Sequence, residues 1–311
     1  MSEFEYILDR INDAEFGDEP FHHIYVKDIL SDEHFALITR SDDVNIPNSE
    51  NTEDLIRSLL KRNYKVIPFP GCTTSVKHYL KCYNSGKWPV DTQRLEGFGL
   101  AFRLKQYQNQ KIKDLIEFLN GDAFKSAIEQ KFDISRDNRI ETAIHKYSTG
   151  YEISPHPDVR SKCLTYLINI NPAERTEEQD IHTHLLKFKP EYAYIGEFWK
   201  GNQHLDTDWV PWEWCETKKQ TNANNSLIMF RPSHDTLHAV RLKYDHLKFQ
   251  RTQIYGNLWY TDVAMALPPV PYSEFELTPE DRNSLNQRFK KTVTYYRDKV
   301  RELTDPWSKS Q

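Results

Sequence analysis

YEISPHPDVRSK, residues 151–162, sets His156 and Asp158 one residue apart around Pro157. Taken alone, the triplet reads either as a polar turn that contains a histidine or as half of a metal site. With 12 histidines and 46 acidic residues in 311, some H-x-D triplets arise by chance. The sequence on either side of it decides the matter. From residue 140 onward the chain runs IETAIHKY, KCLTYLINI, AYIGEFW, NSLIMF and RTQIYGNLWY. These are short β-branched or aromatic runs separated by turn signals, with no 10–15-residue helical pattern between them. That spacing predicts a β core in place of a β-α-β repeat.

The first 140 residues read differently. FHHIYVKDIL (21–30) reads as a strand, and Ser31 is placed to cap a short helix through Arg40. Thr52 is placed to open the helix EDLIRSLLKRN, KVIPFPGC (65–72) reads as strand or loop, and RLEGFGLAFRL (94–104) as a strand. KIKDLIEFLNG (111–121) is amphipathic with Asn120-Gly121 as its end, and Asp122 is placed to cap AFKSAIEQKF. Beyond PPVPY (268–272), Leu285, Phe289, Val293, Tyr296, Val300 and Leu303 recur at spacings of four and three. A long C-terminal helix follows from that period, packed on the β core or, as the alternative, pairing two chains as a homodimer.

Composition narrows the classes. Hydrophobic residues make up 38% and charged residues 28%, and the formal net charge is −5, which disfavours nucleic acid as a partner. No apolar run reaches the ~18 residues of a membrane span, and Cys72, Cys82, Cys163 and Cys215 have no framework spacing. The expectation is a cytoplasmic protein with free thiols.

A metal-binding H-x-D needs a third ligand. Two histidines and one carboxylate on one face of an iron(II) ion leave the other positions open. The downstream candidate is His238, which follows the apolar strand Ser226–Phe230 and a polar turn. A carboxylate co-substrate would also need a buried cation, for which arginine's planar fork suits better than lysine. Arg251 stands at the head of RTQIYGNLWY and is the only cation there. Other readings compete. His182-x-His184 alternates as a cupin-type metal pair would, though LLKFKP follows where cupins add a glutamate, so a surface or lid position is the plainer reading. Arg241, three residues past His238, should face away from it, and Arg160 should pair with surface acids. Trp209, Trp212 and Trp214 form either a lid or a core plug.

In order along the chain, IHKYSTGYEISPHPD, K-x-x-T-Y-L-I-N, G-E-F-W, S-L-I-M-F-x-x-S-x-x-x-L-H-A-V and R…L-W-Y resemble the iron(II)/2-oxoglutarate-dependent oxygenases, nearest their prolyl-4-hydroxylase-like branch. The resemblance covers about residues 140–260, and PFHHIYVKDIL resembles that branch's opening strand. It implies an α+β, mainly β fold: a double-stranded β-helix, or jelly roll, with flanking helices. On that reading residues 1–267 form the oxygenase domain with its N-terminal support, and 268–311 a helical extension. It implies His156, Asp158 and His238 as iron ligands and Arg251 as the anchor of the distal 2-oxoglutarate carboxylate. Tyr147 and Thr165 then line the same pocket. Asn169 stands where many relatives have a tyrosine, with Tyr166 close by. Ile195-Gly196 replaces a Gly-Gly pair, with about twenty extra residues (172–193) before it.

The implied activity is hydroxylation of an unactivated C–H bond in a small metabolite, an amino acid or a peptidyl residue. It uses Fe(II), 2-oxoglutarate and O2, with ascorbate as reductant, and releases succinate and CO2. Relatives that halogenate lack the carboxylate that Asp158 supplies. Where nucleic-acid-demethylating relatives carry a second arginine, this chain has Asn257. A cupin-like metal isomerase or lyase and a non-catalytic barrel that binds through the tryptophan segment are the other classes.

Overall fold

The alternation within RTQIYGNLWY organises the protein. In the computed structural model, which describes residues 2–67, 75–87, 99–262 and 266–275, Ile254 and Leu258 point into a helical layer. Arg251, Gln253, Tyr255 and Asn257 lie on the opposite face, which is turned to a second sheet.

In chain order the elements are α1 (Tyr6–Asp13), β1 (Phe16–Gly17), β2 (His23–Lys27), α2 (Asp32–Thr39), α3 (Thr52–Lys61), β3 (Tyr64–Val66), α4 (Val76–Ser85), β4 (Ala101–Leu104), α5 (Gln110–Leu119), α6 (Asp122–Lys131), β5 (Asn138–Tyr147), β6 (Glu152–His156), β7 (Lys162–Asn169), β8 (Thr183–Phe188), α7 (Ala193–Gly201), β9 (Cys215–Thr221), β10 (Ser226–Phe230), β11 (His238–Arg241) and β12 (Thr252–Tyr260). One sheet has the order β1-β2-β10-β7-β12-β5-β4-β3, and the other β6-β11-β8-β9. Every ladder between these strands is antiparallel. From β5 to β12 the chain crosses repeatedly between the two sheets, so residues far apart in sequence meet between them.

The large sheet is covered on its outer face. Ile7 and Ile11 of α1, Leu55 and Leu59 of α3, Leu115 and Leu119 of α5, and Phe124 and Ile128 of α6 pack with Leu164, Tyr166, Ile168, Ile254 and Leu258. Local signals start these helices. Ser31 accepts a hydrogen bond from the His34 amide and Asn109 from that of Ile112, each satisfying an otherwise unpaired first-turn N–H. At α3 the cap is Asn51, with Thr52 one step inside. The α6 cap is Gly121, and Asp122 is the first helical residue.

Residues 172–193 contain β8, a central strand of the small sheet. One expectation for that sheet needs correction: AYIGEFW, read as a strand, lies in α7. Leu185 of β8 packs between the sheets and Leu186 against Ile195 and Trp199 of α7. The buried residues of α7, Ile195, Gly196 and Trp199, follow helical spacing, which a short aromatic run does not reveal by its pattern alone. Trp214 joins that outer cluster, and Trp209 packs on Tyr272. The tryptophan segment is therefore a plug outside the small sheet. The expected C-terminal helix, at 285–303, lies outside the described residues. No helix among them is long and apolar enough to cross a membrane. Cys82, Cys163 and Cys215 are free and buried.

Gly256 sets the direction of Tyr166. The two are register partners across β12 and β7, and a Cβ built on Gly256 would lie 2.0 Å from the Tyr166 ring. The ring therefore occupies the space above the glycine on the helical side, with its hydroxyl on that of Thr142. Gly256→Ala should cost about 2–3 kcal/mol, read as a lower urea midpoint with an unchanged slope.

Candidate metal centre

β6 ends at His156 and its neighbour β11 begins at His238, and the ladder sets these two residues opposite each other. Their ring centroids are 4.4 Å apart. Each ring is held in the same way. His156 Nδ1 is 2.8 Å from the Ser154 carbonyl and His238 Nδ1 is 3.0 Å from that of Thr236, each two residues upstream. A carbonyl only accepts, so Nδ1 carries the proton in both rings and Nε2 keeps a lone pair. Asp158 completes the group: one donor atom from each of the three lies within 4.8 Å of the others. It is the only such cluster of His, Cys, Asp or Glu among the described residues.

Electrostatics keep the donors ready for a cation. Burial, reinforced by His238, pushes His156 down to about 3, and burial also lowers His238. Both imidazoles are thus neutral at neutral pH, with no proton for a metal to displace. Burial alone would raise the Asp158 carboxyl, but the charge of Lys162, helped by the two histidines, holds it below the ordinary carboxylate range. Two imidazole nitrogens and one carboxylate suit a divalent transition-metal ion.

Arg251 is 3% exposed. Its Nη2 donates to Thr183 Oγ1 on β8 at 3.1 Å, and its guanidinium lies 4.8 Å from the centre of the Tyr147 ring. Among the described residues no carboxylate pairs with it, and burial lowers its pKa with only tyrosines opposing. Such a cation retains its charge in a protein and calls for an anion. Thr165 donates to Asp158 Oδ2 at 2.5 Å, so it braces the metal-side carboxylate. The Asn169 amide donates to the Ala223 carbonyl at 3.0 Å, and its Oδ1 accepts from Gln253 Nε2 at 2.8 Å, tying β7 to β12 and the turn before β10.

The rival residues lie elsewhere. His182 Nε2 bonds the Glu177 carbonyl and His184 Nδ1 the Thr217 hydroxyl, and neither belongs to the cluster. Arg241 is exposed, paired with Glu152 at 2.7 Å. Among the described residues Arg160 pairs its guanidinium with no surface acid. It donates to the carbonyls of Trp199 and Leu205, closing the end of α7. Residues with no role assigned from sequence do face the site. Lys162 Nζ donates to Asp158 Oδ1 at 2.6 Å and to the Tyr255 hydroxyl at 2.7 Å, and Asn257 Oδ1 lies 3.3 Å from Thr165 Oγ1. Polar residues at every second position from 251 to 257 were the available signal.

No family model matches the sequence, and no curated protein matches it. Solved structures with partial likeness include a prolyl-4-hydroxylase from Pseudomonas putida, at 9% identity and a TM-score of 0.39, covering 83% of this chain and 98% of that one. A prolyl hydroxylase from Trichoplax adhaerens, in complex with a hypoxia inducible factor oxygen degradation domain peptide, matches at 16% identity and a TM-score of 0.33 over 68% and 94%. The non-heme alpha-ketoglutarate-dependent epimerase SnoN from nogalamycin biosynthesis matches at 10% identity and 0.34 over 89% of each chain.

Two outcomes follow for the metal-free and metal-loaded protein. His238→Ala should weaken Mn(II) binding by calorimetry at least about 100-fold, or ~2.7 kcal/mol. Asp158→Ala should do the same and also destabilise the metal-free protein by about 3–5 kcal/mol, because Lys162 is left buried and unpaired. The pH dependence has a fixed sign. His156, and likewise His246 at about 4, has a folded pKa below its unfolded value of about 6.5. The stability this confers is present above pH ~6.5 and lost as pH falls toward the folded values. Chemical denaturation at stepped pH should show that decline, and His246→Gln should make it shallower.

Proposed function

We propose that the protein is an Fe(II)- and 2-oxoglutarate-dependent oxygenase that hydroxylates a C–H bond of a small metabolite, an amino acid or a peptidyl residue. The observation that carries this reading is the coexistence, between the same two sheets, of a His-Asp-His cluster and a buried arginine that has no carboxylate partner among the described residues. A metal site alone fits many reactions. An anion anchor in the same interior narrows them to those in which a carboxylate-bearing co-substrate sits beside the ion.

The strand order supports the jelly-roll reading. β5, β7, β10 and β12 share one sheet while β6, β8, β9 and β11 share the other, which is the exchange a double-stranded β-helix makes. His156 and His238 would hold the iron through Nε2, and Asp158 would offset part of its charge. Arg251 would take the distal carboxylate of 2-oxoglutarate through its free N–H groups, with the Tyr147 ring beneath the guanidinium. Thr165 keeps Asp158 oriented. Leu167, Leu185, Ile228 and Phe230 form an apolar wall between the sheets and exclude water. Iron and 2-oxoglutarate, once bound, supply the oxidising chemistry, with O2 as oxidant and succinate and CO2 as products. A carboxylate at position 158 leaves no halide site of the kind halogenation requires, which favours oxygen insertion.

Under anaerobic conditions, Fe(II) with 2-oxoglutarate should give a visible charge-transfer absorption. Arg251→Met should retain the metal but require about 100-fold more 2-oxoglutarate for half-saturation, or ~2.7 kcal/mol. Wild-type protein that binds iron without developing the band would contradict the assignment. Succinate release screened over amino acids, peptides and metabolites would then identify the substrate.

A further inference from the structure

The two oxygens of Asp158 have different neighbours. Oδ2 accepts from Thr165 and lies 3.8 Å from His238 Nε2, on the side where the three donor atoms converge. Oδ1 is turned the other way, 2.6 Å from Lys162 Nζ. Both side chains are nearly closed to solvent, at 9% exposed for Lys162 and 5% for Asp158. The ammonium is also fixed from behind. It donates to the Tyr255 hydroxyl at 2.7 Å and lies 5.4 Å from the ring centres of both Tyr255 and Trp259.

A carboxylate can ligate through one oxygen or chelate through both. Chelation here would draw Oδ1 toward the ion and bring a divalent cation close to a buried ammonium, where like charges repel strongly. It would also break the charge-assisted hydrogen bond from Lys162 to Oδ1. We propose that Lys162 is a positioning residue that restricts Asp158 to one metal-bound oxygen, Oδ2. It thereby keeps open a coordination position that a chelating carboxylate would fill. The proposal rests on the metal reading above and adds a role for this chain's own lysine. Three open positions are what a two-point co-substrate and O2 together require, so the clamp bears directly on whether the site can react.

Counting the water molecules on bound Mn(II) tests the inference without turnover. An octahedral ion held by three protein atoms keeps three waters, and one held by four keeps two. The count is read from the broadening of the Mn(II) electron paramagnetic resonance lines in water enriched in oxygen-17. Wild-type protein should show three waters, Lys162→Met two, and Lys162→Arg three again, since arginine restores a charged donor. A merely structural lysine would alter melting without altering this count. Two waters in the wild type, three in a folded Lys162→Met protein, or two in Lys162→Arg would each overturn the proposal. If Lys162→Met does not fold, Lys162→Gln, which is also uncharged, takes its place: two waters are expected, and three would overturn the proposal. Failure of the underlying reading is distinct: wild-type protein would then bind no Mn(II), or bind it equally well as His238→Ala.

Discussion

The meeting of His156 with His238 across β6 and β11 is the contact on which the rest of the site depends. Pairing of two strands 82 positions apart in sequence brings the rings together, tilted by 45° with centroids 4.4 Å apart. The local carbonyls of Ser154 and Thr236 then fix both tautomers. Neither step uses the metal, so the donor set is built by the backbone before any ion arrives. This is the pre-organisation that makes a weak triplet into a site. Pro157 separates His156 from Asp158, and the following turn returns the chain into β7, whose Thr165 braces the same carboxylate.

An interior with this much polarity has to be balanced. Between the sheets lie Arg251, Lys162, Asp158, Thr165, Asn169, Gln253 and Asn257, all buried or nearly so. Most are satisfied by one another. Lys162 has Asp158 and Tyr255, and Asn169 has Gln253 and the turn before β10. Arg251 is the exception: among the described residues it has a hydroxyl and an aromatic face but no anion. An apolar wall of Leu167, Leu185, Ile228 and Phe230 sits beside this polar set, so any anion that pairs with Arg251 does so away from bulk water, where the pairing is strong.

Much of this was legible in the chain. His156, Asp158 and His238 converge as the H-x-D and the downstream histidine suggested, and Arg251 takes an inward position at the head of its strand. The β character after residue 140 also follows from the run of β-branched and aromatic segments. AYIGEFW reads as a strand because a short aromatic run does not separate strand from helix by periodicity; in α7 it buries Ile195, Gly196 and Trp199 on one helical face. The directions of Tyr166 and Asn169 depend on partners across the sheet, Gly256 in one case and Gln253 in the other. Lys162 looked like an ordinary strand residue because its significance lies in which carboxylate oxygen it faces.

The central claim is that one interior holds both a three-ligand metal ion and the co-substrate's distal carboxylate. A crystal structure of the protein loaded with Mn(II) and 2-oxoglutarate, with the metal located by anomalous scattering, tests it most directly. The account predicts one strong peak within bonding distance of His156 Nε2, His238 Nε2 and Asp158 Oδ2, and 2-oxoglutarate running from that ion to the Arg251 guanidinium. A metal bound elsewhere, or a co-substrate whose distal carboxylate leaves Arg251 unpaired, would contradict it.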